Sequence, residues 1–252
     1  VADGTNPAPA EHASEGPFGI AEAAVLAPSR SARFLVVSDL DDTVLQSDAT
    51  RLLRAARLLL LENARTRLPF PGVAALYRAL VNGASGDEGN PVFYVSSSPW
   101  NLYDVIADFL DVRGIPAGPL LLRDWDLGRG LGTHGAHKRT AIAELLDGFP
   151  SLPVVLVGDS GQEDPEIYRG IARDYPDRVL GVVIRNHTRT PERIAAVHAL
   201  AEELRTTGTT LLLADDSAAI AEHAAARGWI ARAAVAAVRD ATQADDARPP
   251  VD

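Results

Sequence analysis

Phe34-Leu35-Val36-Val37-Ser38-Asp39-Leu40-Asp41-Asp42-Thr43 decides the fold. Phe34–Val37 is apolar without alternation, as expected of a strand covered on both faces, and it ends in a cluster of carboxylates and hydroxyls. The same pattern returns twice. Val92–Val95 runs into Ser96-Ser97-Ser98-Pro99, and Val154–Val157 runs into Gly158-Asp159-Ser160-Gly161-Gln162-Glu163-Asp164. Leu120–Leu122, Val179–Ile184 and Leu211–Leu213 read as further strands. Between them, helical periodicity predicts helices over Gly72–Val81, Trp100–Asp111, Lys138–Asp147, Pro165–Asp174, Pro191–Arg205 and Ser217–Arg227. Ser98 followed by Pro99 reads as a helix N-cap, and Gly148 with Pro150 as a stop. Strands alternating with helices imply an α/β protein of three layers, a mainly parallel sheet with helices on both sides. In such a sheet ligands bind at the carboxyl ends of the strands, where all three polar clusters fall.

The 252 residues are 46% hydrophobic and 23% charged, which supports a folded core and excludes a disordered or fibrous chain. Residues 17–239 are expected to form one domain, with disordered segments at 1–16 and 240–252. There is no cysteine, hence no disulfide, thiolate metal site or thiol nucleophile. A net charge of −10 argues against broad nucleic-acid binding. No apolar run approaches the about 18 residues of a membrane span. The chain begins at Val1 and contains no Met, so the lack of a leader says little about compartment. The expected location is the cytoplasm, with peripheral contact to a membrane.

The clusters suit phosphoryl transfer. A hard divalent cation needs carboxylate and carbonyl oxygens, which Asp39 and Asp159 can supply. A carboxylate can attack phosphorus, and a second one two residues on can protonate the leaving oxygen and then activate water. A hydroxyl and an ammonium can hold the equatorial oxygens as charge builds. Asp39, Asp41, Ser96 and Lys138 match these four roles. Lys138 is the sole lysine among 24 basic residues. Each part also has a commoner structural reading: Asp-x-Asp as a cap, the serines as a turn, Gly158-Asp159-Ser160 as a turn, Lys138 as a solvated residue. The joint order and strand context are far more specific than any part.

These four motifs resemble those of the haloacid dehalogenase superfamily of aspartate-nucleophile phosphatases. The resemblance implies that Asp39 is the nucleophile and Asp41 the general acid/base. It implies Mg²⁺ held by Asp39, the Asp41 carbonyl and Asp159. Ser96 would be the second-motif hydroxyl with Ser97 as the nearby alternative, and Thr43 and Ser97 would bind substrate. Asp164 would orient metal waters or Lys138 from behind the ligands. Four longer stretches narrow the likeness: Thr66–Val73, Tyr94–Leu102, Leu122–Trp125, and Gly158–Gln162 through Asp164–Tyr168. They are similar to the catalytic domain of the actin-patch type phosphatidate phosphatases of fungi, which have many bacterial relatives. That likeness implies an Mg²⁺-dependent phosphomonoesterase acting through an aspartyl-phosphate on phosphatidate or a related lipid phosphate. The alternatives are a soluble or protein phosphomonoester as substrate, or a phosphate-binding module without turnover.

The gaps between motifs predict little or no cap domain, hence an open site. Arg51–Arg67 reads as a basic amphipathic helix that either packs its leucines on the core or rests on an anionic bilayer. Trp100, Tyr103 and Trp125 could meet acyl chains or simply pack. His134 and His137 lack a third ligand and read as loop residues. Asp215-Asp216 reads as a cap for the following helix.

Overall fold

A computed structural model describes residues 27–40, 70–123 and 134–247. The strands are β1 (Leu35–Asp39), β2 (Val92–Pro99), β3 (Leu120–Arg123), β4 (Val154–Asp159), β5 (Val179–Arg185) and β6 (Thr210–Ala214). They form one sheet in the order β3-β2-β1-β4-β5-β6, and every pairing is parallel. The chain builds outward from β1 to β2 and β3, then returns to place β4 on the other side of β1. This reversal opens the crevice in which parallel sheets bind ligands, at the carboxyl ends of β1 and β4.

Alternation along the strands divides the core. Val36 faces one side, among the residues of α1 (Val73–Asn82), α2 (Tyr103–Val112), α6 (Ser217–Ala226) and α7 (Ala234–Asp246). Leu35 and Val37 face the other side, among those of α3 (His134–Gly148), α4 (Asp164–Asp174) and α5 (Pro191–Arg205). The protein is therefore the three-layer α/β structure expected from the continuous apolar strands.

Three expectations need correction. Ser98 does not cap a helix, because β2 runs on through Ser96–Pro99. Its register with β3 shifts after Val95, and Pro99 then pairs with Arg123. A 3-10 turn over Trp100–Leu102, with Pro99 rather than Ser98 at its cap, leads into α2. Second, His134 and His137 are not in a loop, since α3 begins at His134. Third, the boundary at 239 falls inside α7, which buries Val238 and Thr242. The Gly72 N–H donates to Asp245 Oδ2 at 2.9 Å. Gly72 has φ 73°, and a Cβ there would come within 2.1 Å of Thr242 Oγ1, so α7 and the turn before α1 are fitted to one another.

The segment at 1–16, Asp41, Thr43, Arg51–Arg67 and Trp125 lie outside the described residues, and so does most of the chain on which the cap expectation rests. Among the described residues no helix is long and apolar enough to cross a membrane.

Candidate active site

The carboxyl edge of β1 and β4 gathers four ionisable side chains, all buried. Asp39 ends β1 and Asp159 ends β4. Lys138 comes from the second turn of α3, and Asp164 opens α4. Lys138 Nζ lies 2.8 Å from Asp39 Oδ1 and 2.6 Å from Asp164 Oδ1. Burial alone would lower the Lys138 pKa, but the Asp39 and Asp164 carboxylates outweigh it and hold the ammonium well above its usual value. Lys138 is therefore a fixed cation between two carboxylates.

Asp159 is held by its own loop. Its Oδ1 accepts from the Gly161 N–H at 2.5 Å and the Gln162 N–H at 3.2 Å. Its backbone N–H donates to Asp164 Oδ2 at 3.2 Å. Asp164 thus joins the lysine to the end of β4. This close approach needs a glycine next door. A Cβ on Gly158 would come within 2.5 Å of Asp164 Oδ2 and 2.8 Å of the Tyr168 ring. Tyr168 closes the space from α4, its hydroxyl donating to the Val157 carbonyl at 3.0 Å.

The end of β1 is supported from the opposite face. Ser38 Oγ donates to the Asp39 carbonyl at 2.6 Å and stands 2.5 Å from the Tyr77 hydroxyl. Burial pushes the Tyr77 pKa up to about 12, so Tyr77 stays protonated, and with the one Ser38 proton given to the Asp39 carbonyl, Tyr77 is the donor to Ser38. Farther along the edge, Arg185 is the register partner of Asp159. Its guanidinium sits 4.4 Å from the Phe70 ring centroid and donates to Ser217 Oγ at 3.0 Å. Ser217 in turn donates to the Pro71 carbonyl at 2.6 Å. Neither Tyr77 nor Arg185 carries a sequence signal, since each sits in an ordinary amphipathic or strand pattern.

The hydroxyl candidates lie on β2. Val95 is the register partner of Asp39, so Ser96 and Ser97 follow directly beyond the row of Asp39. Ser96 is buried and its Oγ accepts the Ser98 N–H at 2.9 Å. Ser97 Oγ is shielded from solvent and finds no partner among the described residues. Two of the remaining candidates make structural contacts. His137 Nε2 is 3.4 Å from the Leu121 carbonyl, and Asp216 caps α6 by accepting the Ala219 N–H at 2.7 Å. Trp100 and Tyr103 stack at 5.7 Å and are 47% and 42% exposed, so they are not core.

The residues present fit a hard divalent cation. Carboxylate oxygens of Asp39, Asp159 and Asp164 lie within 4.8 Å of one another, and all three residues are buried. Three carboxylates face one ammonium, an excess of negative charge that a buried site does not hold without a counter-ion. An all-oxygen donor set suits Mg²⁺-like ions rather than thiophilic ones.

A parallel sheet of this order, with an aspartate ending β1 and a lysine and aspartates gathered beside it, defines a haloacid-dehalogenase-like protein. More narrowly, the family model for the catalytic domain of phosphatidate phosphatase APP1 matches residues 34–186, and the chain belongs to that family. It is similar to phosphatidate phosphatase APP1 of Saccharomyces cerevisiae, 29% identical over 154 residues, 60% of this chain and 25% of that protein. It is equally similar to an uncharacterized protein of Schizosaccharomyces pombe, 29% identical over 157 residues, again 60% of this chain and 25% of that protein. The chain therefore matches about a quarter of the length of these curated relatives. The family is one of phosphoric monoester hydrolases.

Proposed function

We propose that this protein is an Mg²⁺-dependent phosphatase that hydrolyses a lipid phosphomonoester, phosphatidate or a close relative, through an aspartyl-phosphate on Asp39. The observation that carries the reading is the buried cluster itself, Asp39 and Asp164 sharing Lys138 with Asp159 beside them. In the first step an Asp39 carboxylate oxygen forms a bond to phosphorus. The bond from phosphorus to the ester oxygen breaks, and that oxygen takes a proton from Asp41. In the second step the Asp41 carboxylate takes a proton from water. The water oxygen bonds to phosphorus, and the bond to Asp39 breaks to release phosphate and restore the carboxylate.

Mg²⁺ would be held by Asp39, Asp159 and the Asp41 carbonyl, and when bound it supplies charge neutralisation for an anionic phosphate. Asp164 keeps Lys138 in place, and Lys138 offsets charge on Asp39 and on the phosphoryl oxygens. The hydroxyls of Ser96, Ser97 and Thr43 complete the phosphate cradle. Ser97 Oγ, without a partner among the described residues, has a hydrogen bond to give. The lipid assignment is supported by the family and by its yeast relative, a phosphatidate phosphatase. The exposed Trp100–Tyr103 stack also suits an interface between water and lipid.

The test is phosphate release with Mg²⁺ from phosphatidate in mixed micelles beside a soluble aryl phosphate. Faster release from the micelles is expected. Release from the aryl ester alone would discard the lipid substrate, and release from neither would discard the phosphatase.

A further inference from the structure

We infer that Arg193 is a positioning residue that holds the loop after β4 so that Asp159 is aimed for a cation, and thereby sets the cation affinity of the site. This rests on the reading above that Asp159 helps to hold Mg²⁺. Arg193 lies in the first turn of α5, beyond the residues matched by the family model. Its own backbone is fixed there, its N–H donating to the capping Thr190 Oγ1 at 3.3 Å.

The guanidinium engages three acceptors on one loop and the helix that follows it. Nε donates to the Ser160 carbonyl at 2.7 Å. Nη2 donates to the Gln162 carbonyl at 2.5 Å. Nη1 and Nη2 reach Glu166 Oε1 and Oε2 at 2.5 and 3.1 Å, a two-pronged ion pair that orients the fork. Ser160 is also held from its other side. Its N–H donates to the Arg185 carbonyl at 2.9 Å, and its Oγ accepts the Thr188 N–H at 3.0 Å.

Peptide planarity turns this clamp into control of Asp159. The Ser160 carbonyl and the Gly161 N–H belong to one rigid, trans unit and point in opposite directions. Fixing the carbonyl toward Arg193 therefore fixes the N–H toward Asp159 Oδ1, where it donates at 2.5 Å. Gly161 has no room for anything larger, since a Cβ would stand 2.9 Å from that same oxygen. Without the guanidinium, the Ser160 peptide is free to swing and the Asp159 carboxylate loses its fixed aim. A lysine cannot replace it, because a point ammonium cannot hold two carbonyls and a carboxylate in one plane.

The Arg193 and Glu166 side chains are 21% and 40% exposed, so solvent screens the charge pairing between them. This separates a positioning role from a structural one. The experiment is a thermal-shift titration of the full chain with Mg²⁺ alone, for wild type, Arg193→Gln, Arg193→Lys and Glu166→Gln, beside turnover of a soluble aryl phosphate. Arg193→Gln is expected to raise the Mg²⁺ concentration at half-maximal shift by about tenfold or more, in the range typical of residues that orient a metal ligand. The cation-free melting temperature should fall by no more than several degrees, KM for the aryl ester should hold, and Arg193→Lys should recover only part of the loss. Glu166→Gln loosens the fork without removing it and should give a smaller rise in the same midpoint. It carries the comparison if Arg193→Gln does not fold. An unchanged Mg²⁺ midpoint in a folded variant, with wild type shifting and turning over, overturns this inference alone. A wild type that neither shifts with Mg²⁺ nor turns over overturns the parent reading and this inference with it.

Discussion

Asp39→Asn is expected to lose phosphate release by at least about a thousandfold while keeping its fold, because the amide has the shape of the carboxylate but not its nucleophilic oxygen. The cluster explains why the fold should survive. Lys138 keeps its second partner, Asp164 Oδ1 at 2.6 Å. The substitution also lowers the number of buried carboxylates around that ammonium from three to two. Unchanged circular dichroism, a melting temperature near that of wild type and no turnover on any phosphomonoester form the expected set. Turnover close to wild type would mean that another group attacks phosphorus.

The second large effect is on Lys138. Lys138→Met removes the only lysine in the chain and leaves Asp39 and Asp164 facing each other in a buried site. Breaking a buried pair by deleting one partner typically costs about 3–5 kcal/mol, much of it the cost of the charge left behind. Turnover should fall by about a hundredfold or more, as when a donor to developing negative charge is removed. A divalent cation can take over part of the lost counter-charge. The Mg²⁺-induced rise in melting temperature should therefore be larger in Lys138→Met than in wild type. Thermal denaturation with and without Mg²⁺ measures both effects. A variant as stable as wild type without the cation would show that the lysine does not offset the carboxylates.

These two predictions rest on residues that the sequence alone makes readable. Asp39, Lys138, Asp159 and Asp164 were legible because each sits next to a strand or at a helix start that the apolar pattern marks, and chain order brings parallel strand ends to one edge. Ser98-Pro99 reads as a helix cap, yet both residues belong to β2. Three serines and a proline carry turn chemistry, and only pairing with β3, with its shift after Val95, keeps them in the strand. Here tertiary pairing overrides local propensity. The start of α3 at His134 was hidden by Gly132 and Gly135 for the same reason. α7 was missed because its Ala-rich sequence borders a polar end. What secures it is distant: Thr242 against Gly72, and Asp245 on the Gly72 N–H. The support around the site was the least legible part. Arg193 reads as one more arginine of an amphipathic helix. Nothing near it in sequence reveals that it grips the loop at 160–162, 31 to 33 residues earlier.

The account stands on a covalent bond between phosphorus and Asp39. The most direct measurement is to mix enzyme with substrate and Mg²⁺, quench in acid within one turnover, reduce with borohydride and map the peptides by mass spectrometry. An acyl phosphate is reduced where a free carboxylate is not. The account predicts homoserine at position 39, dependent on substrate. Aspartate recovered intact at 39, with reduction at another carboxylate or at none while phosphate is released, would contradict it.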